Sequence, residues 1–340
     1  MRNSPLVSII ISNYNYGRFL KPCIESVLDQ AYPHLEVIVV DDGSTDNSRE
    51  IIASFGNRLV QVLKENGGQA SALNVGFSIS HGKIVIFLDS DDLLLPETAQ
   101  QVAAVFQSKP DVAKVQYRLA AIDTTGKPTG EVIPSCNRPM PTGDLRQHII
   151  KFHGYVWSPT SGNAFAAEVL RQILPIPEDL YRITPDGYLN DLSAVFGPIV
   201  SLDTVGGFSR LHGSNYYRSG RSLDFLAEVR GNLFRTADGC ARQKALLKRL
   251  YCLDIPEVGL NDLMFLAQRM ISFKLDPLNH PFNENLFSIC IRGIKSAVIS
   301  PEIHGYRRLI YALWFVSMLI PQKSIVQAIA RNFVVRKKAG

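Results

Sequence analysis

Four short runs rich in Val and Ile, each ending in acidic, amide or glycine residues, constrain this chain most. They cover residues 6–11, 36–40, 58–63 and 83–88. Apolar runs this short, bounded by turn residues, read as buried parallel strands. The segments between them have helical spacing. Residues 19–28 place Leu20, Ile24, Val27 and Leu28 on one face, and residues 69–79 do the same with Ala72, Leu73 and Gly76. Residues 48–55 follow a Ser-Thr-Asp cap. The alternation predicts an α/β fold with a doubly wound, mostly parallel sheet, whose ligand chemistry lies at the carboxyl ends of the strands.

Each predicted strand ends in a polar tip. The first ends in Ser12, Asn13, Tyr14 and Asn15, and the second in Asp41, Asp42, Gly43 and Ser44. The third ends in Glu65, Asn66, Gly67, Gly68 and Gln69, and the fourth in Asp89, Ser90, Asp91 and Asp92. Any one tip reads as a capped turn, because Asn, Asp, Gly and Ser are turn residues. The fourth resists that reading. Three carboxylates in four residues repel one another unless a cation sits among them, and an all-oxygen set suits Mg²⁺ or Mn²⁺.

Past residue 96 a helix is expected to 106, a strand over 113–122 and a turn at 123–126. Residues 127–160 contain five prolines and little periodicity. They read as a variable loop region of the kind that contacts substrate. A short strand over 161–167, a helix over 186–196 and two strands at 199–202 and 207–211 follow. From 222 onward the spacing is helical. A chain of 340 residues has room for about two domains, and the pattern change places their boundary near 220. Residues 1–220 carry 18 basic and 22 acidic side chains, against 18 and 9 in 221–340. That asymmetry points to two jobs rather than one nucleic-acid-binding surface. Five scattered cysteines with no CxxC pair argue against disulfides and structural zinc and for a cytoplasmic setting. The first residues are too short for a secretory signal, and no apolar stretch reaches the length of a membrane-spanning helix.

The tips, in this order and spacing, resemble the family 2 glycosyltransferases of the GT-A fold. The likeness rests on residues 7–15, 40–46, 66–74 and 88–92, then on 185–192 and 210–215, and it spans about 5–216. It implies inverting transfer of a sugar from a nucleotide diphosphate donor, with residues 1–122 as the nucleotide-sugar half and 123–220 as the acceptor half. By position, Ser12, Tyr14 and Asn15 would line the nucleotide pocket, and Asp42 would accept a hydrogen bond from the base, which favours uracil. Gly67, Gly68, Asn74, Asp89 and Ser90 would complete the donor site. Asp91 would ligate the metal, and His212 occupies a position that can reach it. Family members usually open a later helix with Glu-Asp, the Asp being the general base. Here Pro185 precedes Asp186. Asp186 keeps the base position, while its local sequence equally suits a helix cap. Asp191, further along that helix, reads as structural. Tyr155 and Trp157 suit either core packing or stacking on a sugar.

Other catalytic patterns are missing. Gly76 to Lys83 has the wrong spacing for a phosphate loop, and no GxGxxG, GxSxG or HExxH occurs. A sugar-phosphate nucleotidyltransferase, the alternative enzyme, opens with a Gly-rich, Arg-bearing loop that residues 12–18 lack. A sugar- or nucleotide-binding module without catalysis is the other alternative. The C-terminal third matches no family pattern. Residues 309–320 are nearly all apolar, residues 325–334 form a helical stripe, and seven Lys or Arg with no acid follow residue 306. This segment suits helices packed on the protein or a peripheral anchor at an anionic membrane surface, near a glycan or lipid-linked acceptor.

Overall fold

The computed structural model describes residues 4–213, 225–300 and 303–338. The chain divides into two compact units, Met1–Arg146 with Tyr155–His212 and Gln147–Gly154 with Gly213–Gly340. The first holds one mixed sheet of nine strands: Val7–Asn13 (β1), Leu35–Asp42 (β2), Val60–Lys64 (β3), Ile84–Asp89 (β4), Leu93–Leu94 (β5), Lys114–Ile122 (β6), Pro128–Ile133 (β7), Asn163–Ala166 (β8) and Ile199–Arg210 (β9). Their order is β3-β2-β1-β4-β8-β6-β9-β5, with β7 beside β6. The first four are mutually parallel. Beyond β4 the sheet changes character. β8 runs antiparallel to β4 and β6, β9 runs parallel to β6, and β5 and β7 are antiparallel.

Period-2 alternation explains the packing. Val7, Ile9 and Ile11 join Val37, Val39, Ile84, Ile86 and Leu88 on one face. There they meet Leu20, Ile24 and Val27 of the helix Gly17–Leu28 (α1) and Ile52 of the helix Ser48–Ser54 (α2). The helix Gln69–Ser78 (α3) packs on the other face, where Gly76 permits close approach: a Cβ there would lie 2.4 Å from Ile10 Cγ2. Covering helices thus change face after β3, and the crevice beyond the ends of β1 and β4 is a topological switch point.

Four further helices belong wholly to this unit: Thr98–Ser108 (α4), Ala167–Ile173, Glu178–Tyr181 and Asp186–Ser193. The helix Arg146–Phe152 (α5) crosses the division. In chain order the other three are α6, α7 and α8. The region 127–160, expected to be loop, contains β7 and α5. β7 escapes pattern reading because its residues are mostly exposed and include Pro128 and Gly130. Pro128 at the first position is where a strand tolerates proline. The two strands expected at 199–202 and 207–211 are one continuous strand, β9, with register shifts opposite Arg118. The helix expected to reach 196 ends at Ser193.

The second unit is helical, with Phe225–Tyr251 (α9), Leu263–Leu275 (α10), Leu286–Ile299 (α11), Arg307–Ser317 (α12) and Lys323–Lys338 (α13). Its core joins Leu266, Met270 and Ile271 to Ile289, Trp314, Phe315, Met318 and Val326. Residues 222–224, expected to be helical, lie outside the described residues. Gly293 of α11 has no room for a side chain: a Cβ would stand 2.2 Å from Cε1 of the fully buried Phe315. Gly293→Ala should therefore destabilise this unit by about 1–3 kcal/mol, despite alanine's better helix propensity. A lowered melting temperature in calorimetry is the expected readout, and an unchanged one would mean the ring moves aside freely. Among the described residues no helix is long and apolar enough to cross a membrane.

Candidate active site

β1 supplies the first wall. Ser12 is in register with Val40 on one side and Asp89 on the other. Asn13 is buried and donates to Asp41 Oδ2 (2.9 Å) and Ser44 Oγ (3.1 Å), locking the first tip to the second. Tyr14 is 47% exposed, so its ring is available to a ligand. Asn15 adopts φ 57°, and its side-chain oxygen accepts from the Thr45 backbone N–H at 2.8 Å. It shapes the loop and directs its polar end at the protein.

Asp42 anchors the third tip. Its carboxylate accepts from Lys64 Nζ (2.6 Å), Gly67 N–H (2.9 Å) and Gly68 N–H (2.7 Å). Three of its roughly four acceptor positions are therefore filled by the protein. Gly68, at φ 93°, holds the turn into α3, and a Cβ there would collide with Arg182. Arg182 donates to the Gly67 carbonyl at 3.0 Å. Asn74 is placed elsewhere. Its amide bonds both the N–H and the C=O of Ile176, at 2.8 and 3.0 Å, and ties α3 to the segment before α7.

The fourth tip gathers the acids. Single oxygens of Asp89, Asp91 and Asp92 lie within 4.8 Å of one another. Gln69 Nε2 donates to Asp89 Oδ1 at 2.7 Å. Ser161 Oγ accepts from the Asp89 N–H (3.1 Å) and donates to Asp92 Oδ2 (2.7 Å). Arg210 donates its N–H to Asp92 Oδ1 (2.9 Å) and its Nε–H to the Asp91 carbonyl (3.0 Å). His212 Nε2 meets Asp91 Oδ2 at 2.8 Å, its ring resting against Tyr16 and Phe19. Ser90 is buried within the turn.

Burial, with Asp91 beside it, pushes the Asp92 carboxyl up from an ordinary 3.8 to about 8. Burial also pushes Asp89 well up, reinforced by Asp92, Asp91 and Asp186. This tip therefore holds protons at neutral pH unless a cation replaces them, and its all-oxygen donor set fits Mg²⁺ or Mn²⁺. The sign of the pH effect follows. A folded-state pKa raised above the unfolded one gives stability that is present at low pH and lost as pH rises through the folded value. In chelator, this tip should lower the melting temperature as pH rises from about 4 to about 8, and Mn²⁺ should restore it most at the alkaline end. A metal response equal at pH 5 and pH 8 would contradict this.

Asp186 lies in the first turn of α8, half-buried, with its Oδ1 accepting from the N–H of Gly187 at 2.9 Å. Its charge acts on Asp89, so Asp186 lies within electrostatic reach of the β4 tip. Ser12, Asp42, Gly67, Gly68, Asp89, Ser90, Asp91 and His212 stand at or just beyond strand ends, while the side chains of the exposed Asn15 and the half-buried Asn74 bond to Thr45 and Ile176. Tyr155 is buried and donates its hydroxyl to the Asn190 carbonyl at 3.0 Å, which is a packing role. Trp157 is partly buried. Ser161, Gln69 and Arg210 took no role in the sequence reading. Gln69 and Arg210 stand inside matched motifs, but Ser161 carries no local signal.

Residues 8–161 match the family model described as glycosyl transferase family 2. An uncharacterized glycosyltransferase of Nostoc sp. (strain PCC 7120) is 37% identical over 229 residues, 66% of this chain and 70% of that protein. The glycosyltransferase GlyG of Streptococcus pneumoniae is 40% identical over 31% of this chain and 36% of its own. Among solved structures, S. aureus TarS 1–349 superposes with a TM-score of 0.57 at 17% identity, over 96% of this chain and 91% of that one. The Pyrobaculum calidifontis mannosyltransferase PcManGT gives 0.50 at 16% identity, over 98% and 87%. These likenesses identify the mixed sheet as a GT-A-type fold, and the Asp89–Asp92 tip is its acidic motif. Matched in its strand-end motifs and across two thirds of its length by a glycosyltransferase, the chain belongs to glycosyl transferase family 2 and is a transferase enzyme.

Proposed function

We propose that this enzyme moves a sugar, with inversion, from a nucleotide diphosphate donor of the UDP class to a hydroxyl of a glycan or lipid-linked acceptor. The observation that carries the reading is the acidic cluster of Asp89, Asp91 and Asp92 at the switch point, with Asp186 within electrostatic reach of Asp89. The exposed Tyr14 ring and the Ser12 edge take the base, and Asp42 holds the Gly67–Gly68 turn that closes the pocket behind it. Asp89 and Ser90 lie toward the ribose and diphosphate. Asp91, with Asp89 and Asp92 beside it, would hold Mg²⁺ or Mn²⁺. When bound, such a cation offsets the charge growing on the departing diphosphate. His212 fixes the orientation of the Asp91 carboxylate through its 2.8 Å contact and serves as a partner to that ligand more than as a ligand itself. Asp186 accepts the acceptor hydroxyl proton as the oxygen attacks the anomeric carbon in line with the leaving group. Support for such a donor comes from the neighbours: TarS was solved with UDP-GlcNAc and with UDP, and PcManGT with GDP-Man and Mn²⁺.

A panel of UDP- and GDP-sugars, read by thermal shift and by nucleotide release, tests this. One UDP-sugar should stabilise the protein in Mn²⁺ and not in chelator. At a hundred times its dissociation constant the gain is about 2.7 kcal/mol. Stabilisation by a nucleoside triphosphate with release of pyrophosphate would instead indicate a nucleotidyltransferase.

The helical unit offers a surface of its own to a membrane. On α12, Trp314 and Phe315 are buried in the core, so one face packs as a structural helix does. The opposite stripe is apolar and open, with Tyr306 74%, Leu309 62%, Leu313 57% and Val316 48% exposed. Arg307 and Arg308 stand at its start. An exposed apolar stripe beside basic residues suits the cytoplasmic face of an anionic membrane, close to a lipid-linked acceptor. Each basic residue near such a surface is worth about 1 kcal/mol. Leu309→Asp with Leu313→Asp should lower co-sedimentation with phosphatidylglycerol vesicles by ~10-fold or more without lowering the melting temperature. Undiminished sedimentation would remove the membrane from this reading.

A further inference from the structure

Lys114 opens β6 with no exposed surface at all. Its ammonium has three N–H donors, and all three are used on side-chain amide oxygens. Gln116 Oε1 and Asn163 Oδ1 each accept at 3.0 Å, and Asn190 Oδ1 accepts the third. Among the described residues no carboxylate pairs with it. Asp191 acts on it only through space, and the rings of Tyr155 and Phe165 face it with centroids 5.0 and 5.9 Å away. Burial pushes its pKa well below the usual lysine range, with Asp191 opposing. A fully buried cation held by neutral groups is a costly way to fill a core position.

What the three amides do next sets this lysine apart. Asn190 passes its own N–H to the Asp186 carbonyl at 2.8 Å, within the first turn of α8. Asn163 passes both of its N–H bonds, at 2.7 Å, to the carbonyls of Ser158 and Pro159. That turn leads directly into Ser161, whose hydroxyl joins the Asp89 N–H to the Asp92 carboxylate. Gln116 donates to Ser201 Oγ at 2.8 Å, bracing β9. One ammonium thus holds, through one amide each, the helix that bears Asp186 and the turn that bears Ser161.

We infer that Lys114 is a positioning residue that sets Asp186 at its working distance from the Asp89–Asp92 tip. Three oxygen acceptors converging on one atom require the three-donor ammonium. A neutral amine or an apolar side chain would release at least one arm. The released arm lets α8 or the 158–161 turn shift, and a misplacement of about 1 Å at a reacting group costs on the order of 10²-fold in rate. The inference rests on Asp186 being the base.

The test is Lys114→Met, alone and combined with Asp186→Asn, in the full chain. Nucleotide release is measured on whichever member of the UDP- and GDP-sugar panel is turned over fastest, with UDP affinity in Mn²⁺ by calorimetry and amide exchange by mass spectrometry. Lys114→Met should lower kcat per folded molecule by ~10²-fold, weaken UDP affinity in Mn²⁺ far less than that, and speed exchange in 186–190 and 158–163 while sparing β1 to β4. The double variant should be no slower than Asp186→Asn alone, because the lysine acts through that carboxylate. Effects that multiply in the double variant, or exchange that rises uniformly, would overturn the inference and leave a purely structural lysine. If Asp186→Asn itself keeps full kcat, or no panel member is turned over, the functional reading falls instead. Should Lys114→Met fail to fold, Asn190→Ala cuts only the α8 arm and must give the same kcat loss and the same non-additivity. An active, exchange-silent Asn190→Ala overturns the inference.

Discussion

Asp91→Ala should abolish turnover, lowering it by on the order of 10³-fold or more, and should remove the metal dependence of nucleotide binding. Under the proposed function Asp91 is the member of the acidic tip that holds the cation. Asp92 is anchored by Ser161 and by the Arg210 N–H, and Asp89 by Gln69. Asp91 is met by His212, which orients one oxygen. Removing it also leaves His212 facing a void, so a second expected effect is a small change in stability rather than collapse. Metal titration by calorimetry and initial rates in Mn²⁺, Mg²⁺ and chelator check both. Full activity in the variant, or in excess chelator, would end the metal assignment.

Asp186→Asn is the other large effect. The amide is nearly isosteric and can still accept from the Gly187 N–H, so helix α8 should start as before. It cannot accept the acceptor's proton. The expected loss is ~10²–10⁴ in kcat, the usual worth of a general base, with donor affinity unchanged. The alternative is a residue that only caps its helix. In that case the variant melts early and keeps its activity per folded molecule. Measuring kcat on the folded fraction separates the two.

The part holding β1 to β4 was readable because β1, β2 and β4 are largely buried on both faces and its tips are short-range. Val7 to Ile11 and Ile84 to Leu88 cannot be other than core, and the Asp-rich tip of β4 has no comfortable reading without a cation. The part beyond β4 was obscured for a physical reason. In the strand pairings Lys114–Phe165 and Lys114–Ile199 the partners of β6 lie 51 and 85 residues away, and β7 is an exposed edge with no alternation. Residue type alone also did not show local bonding: Asn74 and Asn15 lie within matched motifs, and their amides bond Ile176 and Thr45. Lys114 gave no signal, since a lysine ahead of the mixed run Val-Gln-Tyr-Arg-Leu reads as a solvated strand end. For α12 the sequence left open whether its apolar residues pack or stay outward, and the helix does both.

The split sheet also orders assembly in time. Strands β1 to β4 pair entirely within the first 89 residues, the β1–β4 pairing spanning 77 of them (Val7 with Ile84). The acidic tip is finished much later. Asp92 receives the Arg210 N–H and Asp91 meets His212 across separations of 118 and 121 residues. Domains emerge from the ribosome N-terminus first, and distant pairings form slowly. A growing chain therefore has all of β1 to β4 well before Arg210 and His212, the late partners of its acidic tip, have emerged.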